Sequence, residues 1–119
     1  MFAEILKEIV DGTAGGAGVV LMGYDGIAIE QQFKPCEGVD LQVLAIEYAN
    51  ILKEIRDTVA LLNSGDMEEV SIKTGRFYVI LRILTDEYFV ALILRRDGNF
   101  GKGRYLLQRD ASKLIEALS

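Results

Sequence analysis

The feature that most constrains the fold is a pair of apolar runs, residues 77–84 and 88–94, separated only by the turn Thr85-Asp86-Glu87. So short a connection predicts two antiparallel strands that lie side by side in one sheet. Apart from Arg82, both runs are apolar at successive positions, whereas a strand with one wet face alternates apolar and polar residues. The two strands therefore need cover on both faces, which predicts a sheet with helices on both sides.

Three further strands complete the predicted sheet. Residues 19–22 form another continuous apolar run, and Asp25-Gly26 connects it to residues 27–33, because Asp-Gly supplies the positive φ that a tight hairpin needs. Residues 27–33 and 69–73 each have one polar face. These two strands therefore belong at the edges of the sheet, and the doubly apolar strands belong in its middle.

The short turns give one early hairpin and a later three-stranded meander. With strands numbered along the chain, the order 2-1-5-4-3 gives the apolar strand 1 a second neighbour. Helical periodicity predicts helices over residues 1–11, 39–63 and 100–118. The prediction is a single domain, residues 1–119, with an α+β fold (an α/β sandwich). The long helix covers one face of the five-stranded antiparallel sheet, and the two terminal helices cover the other.

The long helix carries two apolar faces. The broad face assigned to the sheet comprises Leu41, Leu44, Tyr48, Ile51, Leu52, Ile55, Val59 and Leu62. A weaker strip roughly opposite it contains Val39, Val43 and Ile46, together with Asn50 and Lys53. A helix that only covers a sheet would be polar there, so the strip predicts a contact surface. The alternative is a set of singly exposed apolar residues, which are common on protein surfaces.

The third strand is predicted to be an open edge. It has no proline and leaves backbone groups unpaired on one side, although Lys73 gives it some protection. An open edge beside a two-faced helix predicts a symmetric dimer in which strand pairs with strand and helix with helix. We expect Glu69, Ser71 and Lys73 to carry the strand pairing.

Composition excludes several classes of function. The 119 residues include no histidine, which excludes Ser-His-Asp and Cys-His catalysis and His-ligated metal sites. The single Cys36 cannot form an internal disulfide, and Gly101-Lys102 is followed by Gly103 rather than by the Ser or Thr of a phosphate-binding loop. A net charge of −5 argues against binding to nucleic acid or anionic membranes. We expect a cytoplasmic, non-enzymatic protein without cofactor or metal.

Several segments carry a family likeness. They are GYDGIAI at residues 23–29, EYANILKE at 47–54, and YFVALIL at 88–94 running into DGNFGKGRY at 97–105. In this order and spacing, the chain resembles the roadblock/dynein light chain domain family over essentially its whole length. The likeness is greatest to the bacterial stand-alone MglB-like members. Longin and profilin-like domains, which share the general sheet, are the alternatives.

The resemblance implies a homodimer with a sheet continuous across the third strands and the two long helices side by side. It also implies docking on small Ras-like GTPases, either as a scaffold or as a regulator of hydrolysis. MglB-type members activate the GTPase MglA by reshaping its own site, without lending an arginine finger. The sequence ends at Ser119, soon after the last helix, so a partner contact through a further tail is not expected.

The leading hypothesis is a homodimeric regulator that binds one MglA-type GTPase on the platform formed by two long helices. The residues expected in that platform are Val39, Val43, Ile46, Asn50, Lys53 and Asp57. One alternative is a passive dimeric scaffold that tethers proteins without altering a GTPase cycle. Another is a small-molecule sensor or enzyme with a pocket between sheet and helices.

Overall fold

The computed structural model describes all 119 residues and shows five antiparallel strands between two helical layers. In chain order the elements are α1 (Phe2–Gly12), β1 (Gly16–Gly23), β2 (Ala28–Phe33), α2 (Leu41–Leu61), β3 (Glu69–Lys73), β4 (Phe77–Ile83), β5 (Tyr88–Arg95) and α3 (Phe100–Leu118). The strand order is β2-β1-β5-β4-β3. The predicted fold class and strand order are confirmed.

The two faces of the sheet each support a separate half of the core. Val19 and Leu21 of β1 pack with α1 and α3, whereas Val20 and Met22 pack with α2 on the other face. This alternation follows from the period of two along a strand. It confirms that the long helix covers one face and the terminal helices the other.

Local sequence signals set where α2 begins and where it ends. Asp40 Oδ1 accepts hydrogen bonds from the backbone N–H groups of Gln42 and Val43, at 3.0 and 3.2 Å. Such a cap satisfies two of the donors that the first helical turn leaves free. At the other end Asn63 adopts φ +52°, a left-handed conformation that asparagine tolerates better than other side chains do.

Close packing of α3 on the sheet depends on Gly103. A Cβ atom at this position would lie 2.8 Å from Leu92 Cδ2 and 3.2 Å from Thr13 Cγ2. Thr13 is itself fixed, because its hydroxyl donates to the carbonyl oxygen of Ile9 at 2.8 Å. The absence of a side chain at position 103 therefore sets how closely the helix approaches β5.

The face of α2 that meets the sheet differs from the predicted one. Its buried residues are Leu41, Ala45, Ala49 and Leu52, and the two alanines let the helix backbone lie near the strands. The apolar pattern placed Ile51 and Leu62 on this face, but they are 46% and 70% exposed. That part of the prediction is wrong, because it gave weight to large apolar residues and none to the small ones that allow close packing.

Candidate dimer and partner-binding surfaces

The two flanks of α2 face different edges of the sheet. Lys53 lies at a groove beside Gly23 and Tyr24, at the end of β1. Gln42 borders a groove formed by the start of β2. This flank therefore faces the β1–β2 hairpin. By the geometry of the α-helix, the residues on the opposite flank face β3.

That opposite flank forms an apolar surface next to the free strand edge. We call it the edge patch; its members are Leu44, Tyr48, Ile51 and Ile55 of α2 and Val70 and Ile72 of β3. None of them is fully buried. Leu44, Tyr48, Val70 and Ile72 rest on the α2 side of the core. An exposed apolar band beside an unpaired strand edge is typical of an interaction surface.

Hydrogen bonding shows which residues of β3 face outward. The Glu68 carbonyl oxygen accepts a bond from the N–H of Ile83 at 3.0 Å, and the Thr74 N–H donates to the Phe77 carbonyl oxygen at 2.9 Å. In an antiparallel pair, alternate residues bond the neighbouring strand. The even-numbered residues therefore bond β4, and Glu69, Ser71 and Lys73 direct their N–H and C=O groups to the free edge. Their pairing with a partner stays a prediction.

The side chain of Glu69 is engaged within its own chain. Arg104 Nε of α3 donates to Glu69 Oε2 at 2.5 Å, and Arg82 Nη1 of β4 lies 3.9 Å from Glu69 Oε1. The Oε1 atom is buried and accepts no hydrogen bond. Glu69 therefore ties β3 to α3 and carries a carboxylate that is held in place rather than freely solvated.

The six residues expected in the platform on the outer side of α2 differ in their exposure. Val43 is 52% exposed, and Asn50, Lys53 and Asp57 are exposed as well. The other two expected residues, Val39 and Ile46, are half-buried and pack against the core of their own chain. Their apolar character is thus explained at least in part by intramolecular packing, and Val43 remains as the exposed apolar member.

The one arginine of α2 is also engaged. The Arg56 guanidinium lies 4.1 Å from the centre of the Tyr24 ring, and Nη1 donates to the Asp86 carbonyl oxygen at 2.6 Å. Burial raises the pKa of Tyr24 above its ordinary value, while the charge of Arg56 acts in the opposite direction. These contacts hold Arg56 against the hairpin and the β4–β5 turn.

A charged cleft lies at the surface, between the end of α2 and the β4–β5 turn. Its volume is about 500 Å³, and its charged lining residues are Arg56, Asp57, Asp66, Glu68, Arg82 and Asp86. Between the sheet and the helices, apolar side chains fill both halves of the core. Buried Asp110 of α3 is paired with Arg109 and Lys113, at 3.0 and 3.7 Å. None of the helices is both long and apolar enough to span a bilayer.

Solved structures of other proteins share this fold, although comparisons of the sequence with protein families found no match. No family profile matches the sequence, and no curated protein matches it either. A roadblock/LC7 domain from Streptomyces avermitilis superposes with a TM-score of 0.82 at 12% identity, over 97% of this chain and 95% of that one. An MglB with a tetrameric arrangement gives 0.82 at 17% identity, over 95% and 84%. These two likenesses show the fold.

A third solved structure decides the family. MglC from Myxococcus xanthus is 34% identical to this chain, with a TM-score of 0.70, and the match covers 96% of each chain. The chain belongs to the roadblock/LC7 family. The resemblance found in the sequence is thereby confirmed, and the longin and profilin-like alternatives are set aside.

In this roadblock domain, the edge patch is the feature that sequence reasoning missed. Leu44, Tyr48, Ile51 and Ile55 were assigned to the sheet-covering face. The breadth of the apolar face could have distinguished these residues from those that contact the sheet, because the face is wider than one helix can bury on a sheet. Ala45 and Ala49 lie between these larger residues along the chain, and they mark where the closest contact is made.

Proposed function

We propose that this roadblock domain acts as a homodimeric, non-enzymatic regulator that binds a small Ras-like GTPase of the MglA type and modulates its GTP hydrolysis. Membership of the roadblock/LC7 family supports a regulatory role. The observation that carries the proposal is the edge patch beside the free edge of β3. A cytoplasmic setting is part of the same proposal.

The dimer is supported by the way two apolar surfaces meet at one edge. Pairing β3 with its counterpart in a second copy would extend the sheet and bring the two edge patches together. A standard interface buries about 800 Å² on each partner, and the whole surface of the chain is 6648 Å². In each copy, β3 and the adjoining flank of α2 would therefore bury about an eighth of the surface of the chain.

The GTPase would bind the outer sides of the two α2 helices. In each copy this side presents Val43, Asn50, Lys53 and Asp57, and Glu47 and Glu54 are exposed beside them. Val39 and Ile46 would contribute from the margins. The carboxylates outnumber the single lysine, so the complementary surface on the partner would be basic.

The mode of regulation would not include an arginine finger. Arg56 is the only arginine in α2, and its contacts with Tyr24 and Asp86 keep it on its own chain. A finger must be free to reach the phosphates of the partner. The domain would therefore act by reshaping the site of the GTPase, with all chemistry supplied by the GTPase itself.

The test is single-turnover GTP hydrolysis by the MglA-type GTPase of the same organism, with and without the domain. A regulator changes the hydrolysis rate, whereas a protein that neither binds nor changes the rate contradicts the proposal. Val43→Arg should abolish binding, because it adds a charge at the exposed apolar centre of the platform. Ile115→Arg is the matched control, since Ile115 is 37% exposed on α3, on the opposite face of the sheet.

A passive scaffold is the second candidate function. The observation that favours it is the mostly polar outer side of α2, where Val43 is the exposed apolar member of the expected platform. Binding of the GTPase with an unchanged hydrolysis rate would favour the scaffold over the regulator.

A further inference from the structure

We propose that one corner of the molecule binds an acidic, extended segment of a partner protein. We call it the cationic corner; its members are Lys73 at the end of β3, Arg76 in the β3–β4 turn, Arg96 in the β5–α3 loop and Lys102 in the first turn of α3. This site differs from the α2 platform in its position and in its charge. It follows from the lack of carboxylate partners, from the contacts that hold these side chains and from the uneven charge of the chain.

The four cations of the corner form no ion pair within their own chain. Eight of the 13 lysines and arginines pair with carboxylates. Of the other five, four make up the cationic corner, and the fifth is Lys53 on α2. All four are exposed, and the nearby Asp97 is already paired with Arg95 at 3.4 Å. Positive charge is therefore concentrated at one place without ion pairs to offset it.

Neutral groups hold the two arginines of the corner in place. Arg76 Nη2 donates to the Glu37 carbonyl oxygen at 3.0 Å, and Arg96 Nη1 donates to the Thr74 carbonyl oxygen. A carbonyl oxygen carries no net charge, so it positions a guanidinium without neutralising it. Each guanidinium has five N–H donors, and the remaining donors can bind a carboxylate, which arginine holds with two parallel hydrogen bonds.

Tyr78 brings two of the cations together on the α3 side of the sheet. Arg96 Cζ lies 5.1 Å and Lys73 Nζ 5.9 Å from the centre of its ring, and the separation of the two charges cannot exceed the sum of these distances. In an extended segment, side chains two residues apart lie on one face, about 7 Å from each other. Carboxylates at alternate positions of such a segment could therefore contact both cations at once.

The charge of the whole chain favours a short acidic segment over a long polyanion. The net charge is −5, and residues 1–69 contain 13 carboxylates but only four lysines and arginines. A nucleic acid or an anionic membrane would extend beyond the corner and meet this negative surface, which repels it. An acidic peptide can contact the corner alone, where opposite charge gives specificity and speeds association.

The cationic corner and the α2 platform suit partners of opposite charge. The Tyr78 ring packs with Phe100 in the half of the core that α1 and α3 cover, whereas α2 covers the other face of the sheet. The outer side of α2 has a surplus of carboxylates and is proposed above to meet a basic surface. One domain could therefore hold an acidic segment at the corner while a GTPase occupies the platform.

Fluorescence anisotropy with a labelled peptide of alternating Glu and Ser tests the proposal. The parent chain should bind this peptide saturably at low salt, and the same peptide with Gln or Lys in place of Glu should not bind. The double variant Arg76→Gln/Lys102→Gln should raise the Kd roughly tenfold, because each substitution removes an exposed attraction. Lys7→Gln/Lys53→Gln is the matched control, since it removes the same charge from exposed side chains elsewhere and should change the Kd by less than about twofold.

Two kinds of result would overturn the proposal. Absence of saturable binding by the Glu peptide, or equal effects of the two double variants, would show that the cationic corner is not the site. Tighter binding of a single-stranded oligonucleotide or of phosphatidylserine vesicles than of the peptide, at the same salt, would show that an acidic protein segment is not its occupant.

Two further variants keep the test clear. Thermal melts check the fold of both double variants, and Lys102→Glu replaces the corner variant if that one unfolds, because an acidic residue in the first turn of a helix is compatible with folding. It should weaken peptide binding at least as strongly, and unchanged binding would contradict the proposal. Val43→Arg, which alters the platform on α2, should leave peptide binding intact, so failure of the proposed GTPase function is distinguishable from failure of the cationic corner.

Discussion

At the scale of single residues, Tyr24 shows how a packed side chain can carry an unsatisfied group. Its ring contacts Phe89, with 5.4 Å between ring centres, and supports the Arg56 guanidinium on its face. Its hydroxyl is buried without a hydrogen-bond partner. Such a group costs stability, because burial removes its hydrogen bonds to water and nothing replaces them.

Tyr24→Phe should therefore keep both ring contacts and remove the cost. We expect the free energy of unfolding at pH 7 to be unchanged or to rise by up to about 1 kcal/mol, as measured by urea denaturation. A marked loss of stability would show that the hydroxyl makes a useful contact. Phe89→Ala is the comparison, because it removes a fully buried ring and should cost about 3–5 kcal/mol.

The same residue predicts a response to alkaline pH. Burial raises the pKa of Tyr24 above the ordinary value of 10.0, so the folded state favours the neutral hydroxyl. The corresponding stability is fully present below pH 10 and is lost as the pH rises through the raised pKa. Thermal melts from pH 9 to 11.5 should show a smaller decline for Tyr24→Phe than for the parent chain. Parallel declines would contradict this assignment.

At the scale of elements, α3 lies close to the sheet because position 103 has no side chain. Gly103→Val would press against Leu92 and Thr13 and should lower the free energy of unfolding by about 1–3 kcal/mol, which is typical of overpacking. Gly101→Val is the matched control, since the Cβ site there has only an ordinary contact with Asn99, at 3.8 Å. Chemical denaturation should separate the two variants, and equal stabilities would contradict the close approach.

The same scale shows what the sequence could and could not predict. The doubly apolar strands β1, β4 and β5, the one polar face of β2 and of β3, and the short turns of the hairpin and the meander were enough to predict the strand order. The rotation of α2 about its own axis was not predictable from apolar periodicity. Ala45 and Ala49 face the sheet because their small side chains allow close packing, and a hydrophobic pattern takes no account of side-chain size. The contacts of Glu69 with Arg82 and Arg104 escaped prediction too, since they join residues far apart in the chain.

At the scale of the whole molecule, the proposed function depends on a second copy that joins at the edge of β3. Ser71→Pro tests this edge with little cost to the monomer. The Ser71 N–H faces outward, and proline is tolerated on an edge strand when its missing N–H would face solvent. Gln31→Pro on β2 is the matched control at the opposite edge of the sheet, because the Gln31 N–H bonds the side chain of Glu30 rather than β1.

Sedimentation equilibrium at micromolar concentration is the most direct measurement. If the dimer forms at the β3 edge, the parent chain and Gln31→Pro sediment at twice the chain mass of 13.2 kDa, whereas Ser71→Pro sediments at 13.2 kDa with an unchanged circular dichroism spectrum. A parent chain that sediments as a single 13.2 kDa particle, or a Ser71→Pro variant that remains dimeric, would contradict it.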